Sequence, residues 1–210
     1  MAIQISGTTV IDNSRNFTNL GSGSFASPVS AATPTSGGHA TTKSYVDSKS
    51  SSTGGEVLQV VQTTTTSQAT SANTFSWTQV SALNRTITTT QTNSKILVLA
   101  NVCVGGANDF TFLALTRGGT RIGAGSDESS ARGITGGCMN LNIQYILAGW
   151  GAVYLDSPSV SSGTTLTYGV QFTVGYNSGD PTYVNRTYQS NDNYYDGNGL
   201  SSVICMEIAP

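Results

Sequence analysis

The sequence holds 210 residues, with 9 Lys or Arg against 11 Asp or Glu, a formal net charge of −2. Charged residues make up only 10%, against about a quarter in an ordinary globular chain, and Lys and Arg never cluster. Nucleic-acid binding needs a basic patch against phosphate, so this balance argues against it; no stretch approaches the ~18 apolar residues of a membrane-spanning helix.

Ser (28), Thr (30) and Gly (24) together supply 82 residues. Thr favours strands, while Ser and Gly favour turns, so the composition predicts an all-β chain with many short connections. With 37% hydrophobic residues and little net charge, it is not the composition of a disordered chain.

In chain order, the first ten residues, MAIQISGTTV, lack a basic and then apolar leader, so no secretory signal is read there. Residues 1–53 carry few large apolar side chains, and Ser48–Gly55 (SKSSSTGG) has a flexible-linker composition. The boundary predicted is therefore 1–53 followed by 54–210. Within the first part, Thr41–Lys49 is a candidate for one short helical linker, capped by Thr. A helix that short needs neighbours, and identical ones in an oligomer are the simplest source.

Beyond residue 54, alternation and β-branched content predict about ten strands. They are Glu56–Gln62, Thr74–Trp77, Arg85–Thr90, Lys95–Val104 ended by Gly105-Gly106, Phe110–Thr116 and Thr120–Ile122 around an Arg117-Gly118-Gly119 hairpin turn, Met139–Leu147, Ala152–Leu155, Thr165–Val174, Thr182–Thr187 and Ser202–Ile208. A β-sandwich or barrel follows. Cys103, Cys138 and Cys205 show no C-x-x-C spacing and read as small buried hydrophobes. Trp77 and Trp150 read as core or subunit-interface residues.

Few residues offer chemistry. No G-x-S-x-G elbow, P-loop or G-x-G-x-x-G occurs, and His39 is the sole histidine. The carboxylates that could pair for glycoside hydrolysis are Asp127, Glu128, Asp156, Asp180, Asp192 and Asp196. Most lie in turn sequences where Asp bonds its own backbone, so a catalytic pair is not expected. Asn84-Arg-Thr and Asn185-Arg-Thr read as coincidental glycosylation sequons. No cofactor or metal is expected; a metal held by three copies of His39 on a threefold axis is the remaining possibility. The segment Tyr188–Asn198 (YQSNDNYYDGN) concentrates aromatic faces among amide and carboxylate groups in an expected loop. Tyr188, Asn191, Asp192, Tyr194, Tyr195 and Asp196 are therefore the candidate glycan-binding residues.

The phrase ATTKSYVDS (Ala40–Ser48) resembles the TK-x-YVD element of bacteriophage tail-fibre and related virion fibre proteins. The opening IQISGTTVIDNSRNFTNLGS is similar to N-terminal segments of fibre-like proteins from phages of aquatic bacteria, cyanobacteria included. SKILVLANV, LTRGGTRIG, YLDSPS, TYGVQF and SVICMEIAP follow the order of a module common in phage fibre tips. The resemblance implies a non-enzymatic homotrimeric virion fibre. Residues 1–53 would form the attachment and shaft segment, meeting tail, baseplate or capsid proteins, with Asp12, Arg15 and Asn16 helping it dock. Residues 54–210 would form a jelly-roll tip, resembling trimers of the tumour-necrosis-factor and C1q type, that attaches to a host-surface polysaccharide. The alternative within the same resemblance is a capsid decoration protein or head fibre with no receptor role.

Overall fold

The computed structural model describes residues 3–5, 8–11, 46, 55–72, 76–107, 110–125, 136–141, 143–175 and 180–210. The chain divides into two units, Met1–Thr53 and Gly54–Pro210. In the first, β1 (Ile3–Ile5) pairs antiparallel with β2 (Thr8–Ile11), with a register shift between Ile3 and Gln4. His39, Asp12, Arg15, Asn16 and the helix expected over Thr41–Lys49, Val46 apart, lie outside the described residues.

The second unit is all-β, with two six-stranded antiparallel sheets consistent with a β-sandwich. One sheet is built on β12 (Thr165–Val174). Along one edge of β12 run β6 (Arg85–Thr88) and β5 (Thr78–Gln79); along the other runs β8 (Thr111–Arg117). β8 then pairs with β9 (Thr120–Ile122) and β10 (Gly137–Met139). The other sheet is built on the twelve-residue β7 (Lys95–Gly106). One edge of β7 pairs with β11 (Leu147–Asp156); the opposite edge is shared by β13 (Thr182–Val184) and β14 (Ser201–Ile208). β4 (Ala69–Ser71) flanks β13 and β3 (Val57–Thr65) flanks β14.

Strict alternation builds the core, because successive side chains of a strand point to opposite faces. Ile96, Val98, Ala100, Val102 and Val104 of β7 are buried, as are Tyr168, Val170, Phe172 and Val174 of β12. Val203 and Cys205 of β14 join them. Burial pushes the Cys205 thiol up to about 12 against a small opposing pull from Arg85, so it stays a protonated hydrophobe. Trp150 also belongs to this core.

Several sequence expectations need correction. Gly105-Gly106 does not follow the strand but forms its last two residues, so β7 runs on to Gly106. A Cβ on Gly105 would meet the Arg186 carbonyl and Thr187 Cα, so glycine is there to admit a neighbouring loop, not to turn the chain. The segment Met139–Leu147 is not one strand. Met139 ends β10 in one sheet and Leu147 opens β11 in the other, and the link between them turns through Ile143 N–H to Leu141 O and Ile146 N–H to Ile143 O. Leu141 reaches the core, while Ile143 and Tyr145 stay exposed. Of Thr74–Trp77, Trp77 and Ser76 precede the strand, which begins at Thr78. The strand expected over Thr182–Thr187 stops at Val184, because Asn185 takes a positive φ of 64°. Cys138 is exposed rather than buried and Cys103 is half-buried. The Gly118-Gly119 turn between β8 and β9 does form, with φ positive at both residues, the pairing a tight two-residue hairpin requires.

Two buried polar groups close the sandwich. Tyr168 donates its hydroxyl to Asp156 (2.7 Å), and Arg117 donates Nη1 to both oxygens of that carboxylate (2.9 and 2.7 Å). Asp156 is thereby committed to structure. Glu207 is fully buried. It accepts from Gln59 Nε2 (2.6 Å), Thr90 N–H (2.7 Å), Thr90 Oγ1 (3.0 Å) and Gln91 N–H (3.2 Å). Burial raises its pKa, but the donors from Gln59, Ser94, Thr90 and Gln91 outweigh burial and leave it below the ordinary value. A depressed folded-state pKa contributes stability above the unfolded value of ~4.3, and that contribution is lost as pH falls through the folded value. Glu207→Gln, which turns an amide N–H₂ toward this ring of donors, is expected to lower the unfolding free energy by about 2 kcal/mol at pH 7. Urea titrations of both proteins should converge as pH drops below about 4; a gap independent of pH would place the loss elsewhere.

Candidate ligand-binding site

The loop joining β13 to β14 begins at Asn185, a fully buried residue whose every polar group is used. Its Nδ2 donates to the Thr65 and Ser67 carbonyls (both 2.9 Å), and its Oδ1 accepts from Ser201 Oγ (2.5 Å). Its N–H donates to Cys103 O (2.8 Å), and its carbonyl accepts from Gly199 N–H (3.0 Å). One residue, through side chain and backbone, thus ties the β3–β4 turn, β7 and both ends of the loop together. Such an amide has no freedom to carry a glycan, so Asn185-Arg-Thr is no modification site. The Arg186–Asn198 bridge and the Thr187 N–H to Gly197 O bond (3.1 Å) close the loop base.

The far side of the loop rests on the link before β11. Gln189 donates through its backbone N–H to Gln144 O (3.3 Å) and through Nε2 to Gln144 Oε1 (2.9 Å). The Tyr145 and Tyr195 rings lie 5.8 Å apart, and those of Tyr194 and Tyr195 4.1 Å. Tyr194 is 87% exposed and Tyr195 58%, with Tyr145, Ile143 and Leu200 also open to solvent. The contact with the Tyr194 hydroxyl raises the Tyr195 pKa, which keeps the phenol protonated. Such exposure of large amphipathic rings is a cost without a partner and an asset with one.

A cavity of about 150 Å³ within this loop is lined by Thr187, Ser190, Asp192, Asn193, Asp196 and Asn198, with Gly197. Asp196 accepts from Asn191 N–H (2.7 Å) and Thr187 Oγ1 (3.4 Å), and Asn193 Oδ1 accepts from Tyr195 N–H (2.9 Å). Asp192 takes a positive φ of 57°, an αL position that Asp tolerates. The loop is therefore held by its own side chains.

Of the six residues expected to act together, the fold gathers five. Asp192 and Asp196 line the cavity, Asn191 braces it through its backbone, and Tyr194 and Tyr195 form the aromatic surface. Tyr188 departs: half-buried, it packs edge-on against Tyr183 at 6.0 Å, whose other contact is Arg186 at 3.7 Å. Tyr145 was missed. It sits in a segment whose apolar alternation imitates a strand, and only the turn at Ile143–Ile146 brings it beside Tyr195.

Of the other carboxylates, Asp156 is bound by Arg117 and Tyr168, Asp180 stands two residues before β13, and Asp127 and Glu128 fall outside the described residues. Among the described residues, no three of His, Cys, Asp and Glu converge where a metal could be held, and no helix is long and apolar enough to cross a membrane. No known family model matches the chain, and no curated protein matches it.

Proposed function

We propose that the chain is a non-catalytic structural protein of a bacteriophage virion, a homotrimeric fibre whose 54–210 tip binds a host-surface glycan. Residues 1–53 join it to tail, baseplate or capsid proteins. The observation that carries the binding role is the exposed Tyr194–Tyr195–Tyr145 cluster beside a cavity of hydroxyl, amide and carboxylate groups. Sugars offer an apolar ring face and a rim of hydroxyls, and this pairing of rigid aromatic surface with short polar side chains matches both. The loop is pre-shaped by Asn185 and Gln144, which lowers the ordering cost of binding. The jelly-roll form of the sandwich and its trimeric state belong to this proposal. Two features support them: the fibre-like motifs in the sequence, and an apolar outward face on the β7 sheet.

Tyr194→Ala combined with Tyr195→Ala is expected to reduce binding to a glycan array of bacterial envelope polysaccharides at least tenfold, about 1.4 kcal/mol. The melting temperature should not change, because both rings are exposed. An unreactive wild-type protein that instead co-purifies with capsid shells would transfer the role to head decoration. Release of oligosaccharide from the same polysaccharides would make the protein an enzyme.

A further inference from the structure

The outward face of the β12 sheet holds a second cavity, of about 380 Å³, formed by Trp77, Gly119, Thr120, Arg121 and Gln171. Strand register explains its composition. Gln171 stands opposite Gln79 on one side and Ala114 on the other, and Thr116 stands opposite Arg121. Opposed residues share a face, so these side chains all turn away from the core. Trp77, two residues before Gln79, belongs to the same face. Beside the cavity the sheet surface is closed: Ala114 is fully buried, and a Cβ on Gly169 would collide with the amides of Asn84 and Gln79. The depression is therefore a consequence of sequence, and its volume lies in the range of small-ligand sites.

Its chemistry is one-signed. The Arg121 guanidinium carbon lies 4.5 Å from the Trp77 ring centroid, a cation–π arrangement that holds the side chain in place. Among the described residues Arg121 has no carboxylate partner; the Arg117–Asp156 ion pair bridges the two sheets. Gln171 donates Nε2 to Gly119 O (3.1 Å), which fixes the amide and leaves Oε1 as an acceptor. A pre-placed guanidinium suits a planar carboxylate, which it binds through two parallel N–H groups. An indole wall suits the apolar face of a pyranose, and the amide oxygen of Gln171 suits its ring hydroxyls.

We infer that this cavity binds an acidic sugar, a hexuronate unit whose carboxylate meets Arg121 and whose ring lies against Trp77. The Tyr194–Tyr195 loop could not replace it in this role, since Asp192 and Asp196 repel an anion. The two sites of one tip therefore select different units of a polysaccharide, and the second stands whether or not the first binds.

Titration of the full-length protein with oligogalacturonate and oligoglucuronate, followed by calorimetry and tryptophan fluorescence, tests the inference; a neutral malto-oligosaccharide of equal length is the control. Trp150 is buried in the core, so a fluorescence change reports on Trp77. At least one uronate should bind, the neutral control should not, and affinity should fall with added salt. Arg121→Gln should weaken binding at least tenfold, and Trp77→Leu should weaken it and abolish the fluorescence change. Tyr194→Ala with Tyr195→Ala should leave it unaltered, which separates this site from the loop. Absence of uronate binding by the wild-type protein at millimolar concentration overturns the inference. So does an affinity that Arg121→Gln, checked for a native melting curve, leaves unchanged.

Discussion

Asn185→Ala should lower the unfolding free energy by about 4 kcal/mol, the largest loss expected of any single residue here. The substitution removes three side-chain hydrogen bonds at a site with no water access, each contributing about 1 kcal/mol net. It also leaves the Thr65 and Ser67 carbonyls and the Ser201 hydroxyl without that partner. Alanine then has to hold φ of 64°, a backbone region that Asn tolerates and Ala disfavours by roughly 1 kcal/mol. Glycine at the same position relieves the backbone but not the hydrogen bonds. Asn185→Gly should therefore recover only about 1 kcal/mol of the loss. Urea unfolding of the three proteins measures both quantities. If alanine and glycine are equally harmful, backbone conformation plays no part; if both cost under 1 kcal/mol, the amide does not join the loop to the sandwich.

The same residue shows what a sequence can and cannot disclose. Asn185 sits in a sequon, a pattern associated with exposed loops, yet it is wholly buried. Nothing nearby in the sequence announces that Thr65, Ser67, Cys103 and Ser201 surround it, because those partners lie 16 to 120 residues away. Local patterns fared better. Thr165–Val174 and Thr120–Ile122 form strands with the bounds that alternation predicts, and the Gly118-Gly119 hairpin follows from backbone sterics alone. Failure came where alternation was accidental, as at Met139–Leu147, or where a glycine served a tertiary contact, as at Gly105. The site was half legible for the same reason. Tyr194 and Tyr195 are adjacent in sequence and could be read together, whereas Tyr145 joins them only through packing. Trp77, read from the sequence as a core or subunit-interface residue, is half-buried under Arg121, a contact between residues 44 apart that no local pattern discloses.

Strand register also exposes the surface on which self-association would depend. On the outward face of the β7 sheet, one cross-strand row runs Leu155, Leu97, Met206, Val60, and the next runs Val153, Leu99, Ile204, Gln62. Val153 is 70% exposed and Val60 54%, and Lys95 at one end is the only charge on the β7 and β14 portion of this face. β11 pairs with β7 alone among the described residues, and its ten residues include none of the lysines or prolines that usually guard an edge. An apolar face with a single charge at one end, bordered by an edge unpaired among the described residues, is compatible with copies of itself, and burial there would remove both liabilities at once. Wild-type protein should scatter light as three chains of 21.7 kDa, about 65 kDa in all. Leu99→Asp with Ile204→Asp places two carboxylates at directly opposed positions in the middle of this face. Both positions are half-buried in the single chain, so a hydrated carboxylate there harms the sandwich little; buried between copies it would lack any partner and cost several kcal/mol. The double variant is expected to keep its β circular-dichroism spectrum and to appear at 21.7 kDa. A trimer that survives both charges moves the interface to another face, and a monomeric wild-type protein removes the trimer from the proposed fibre.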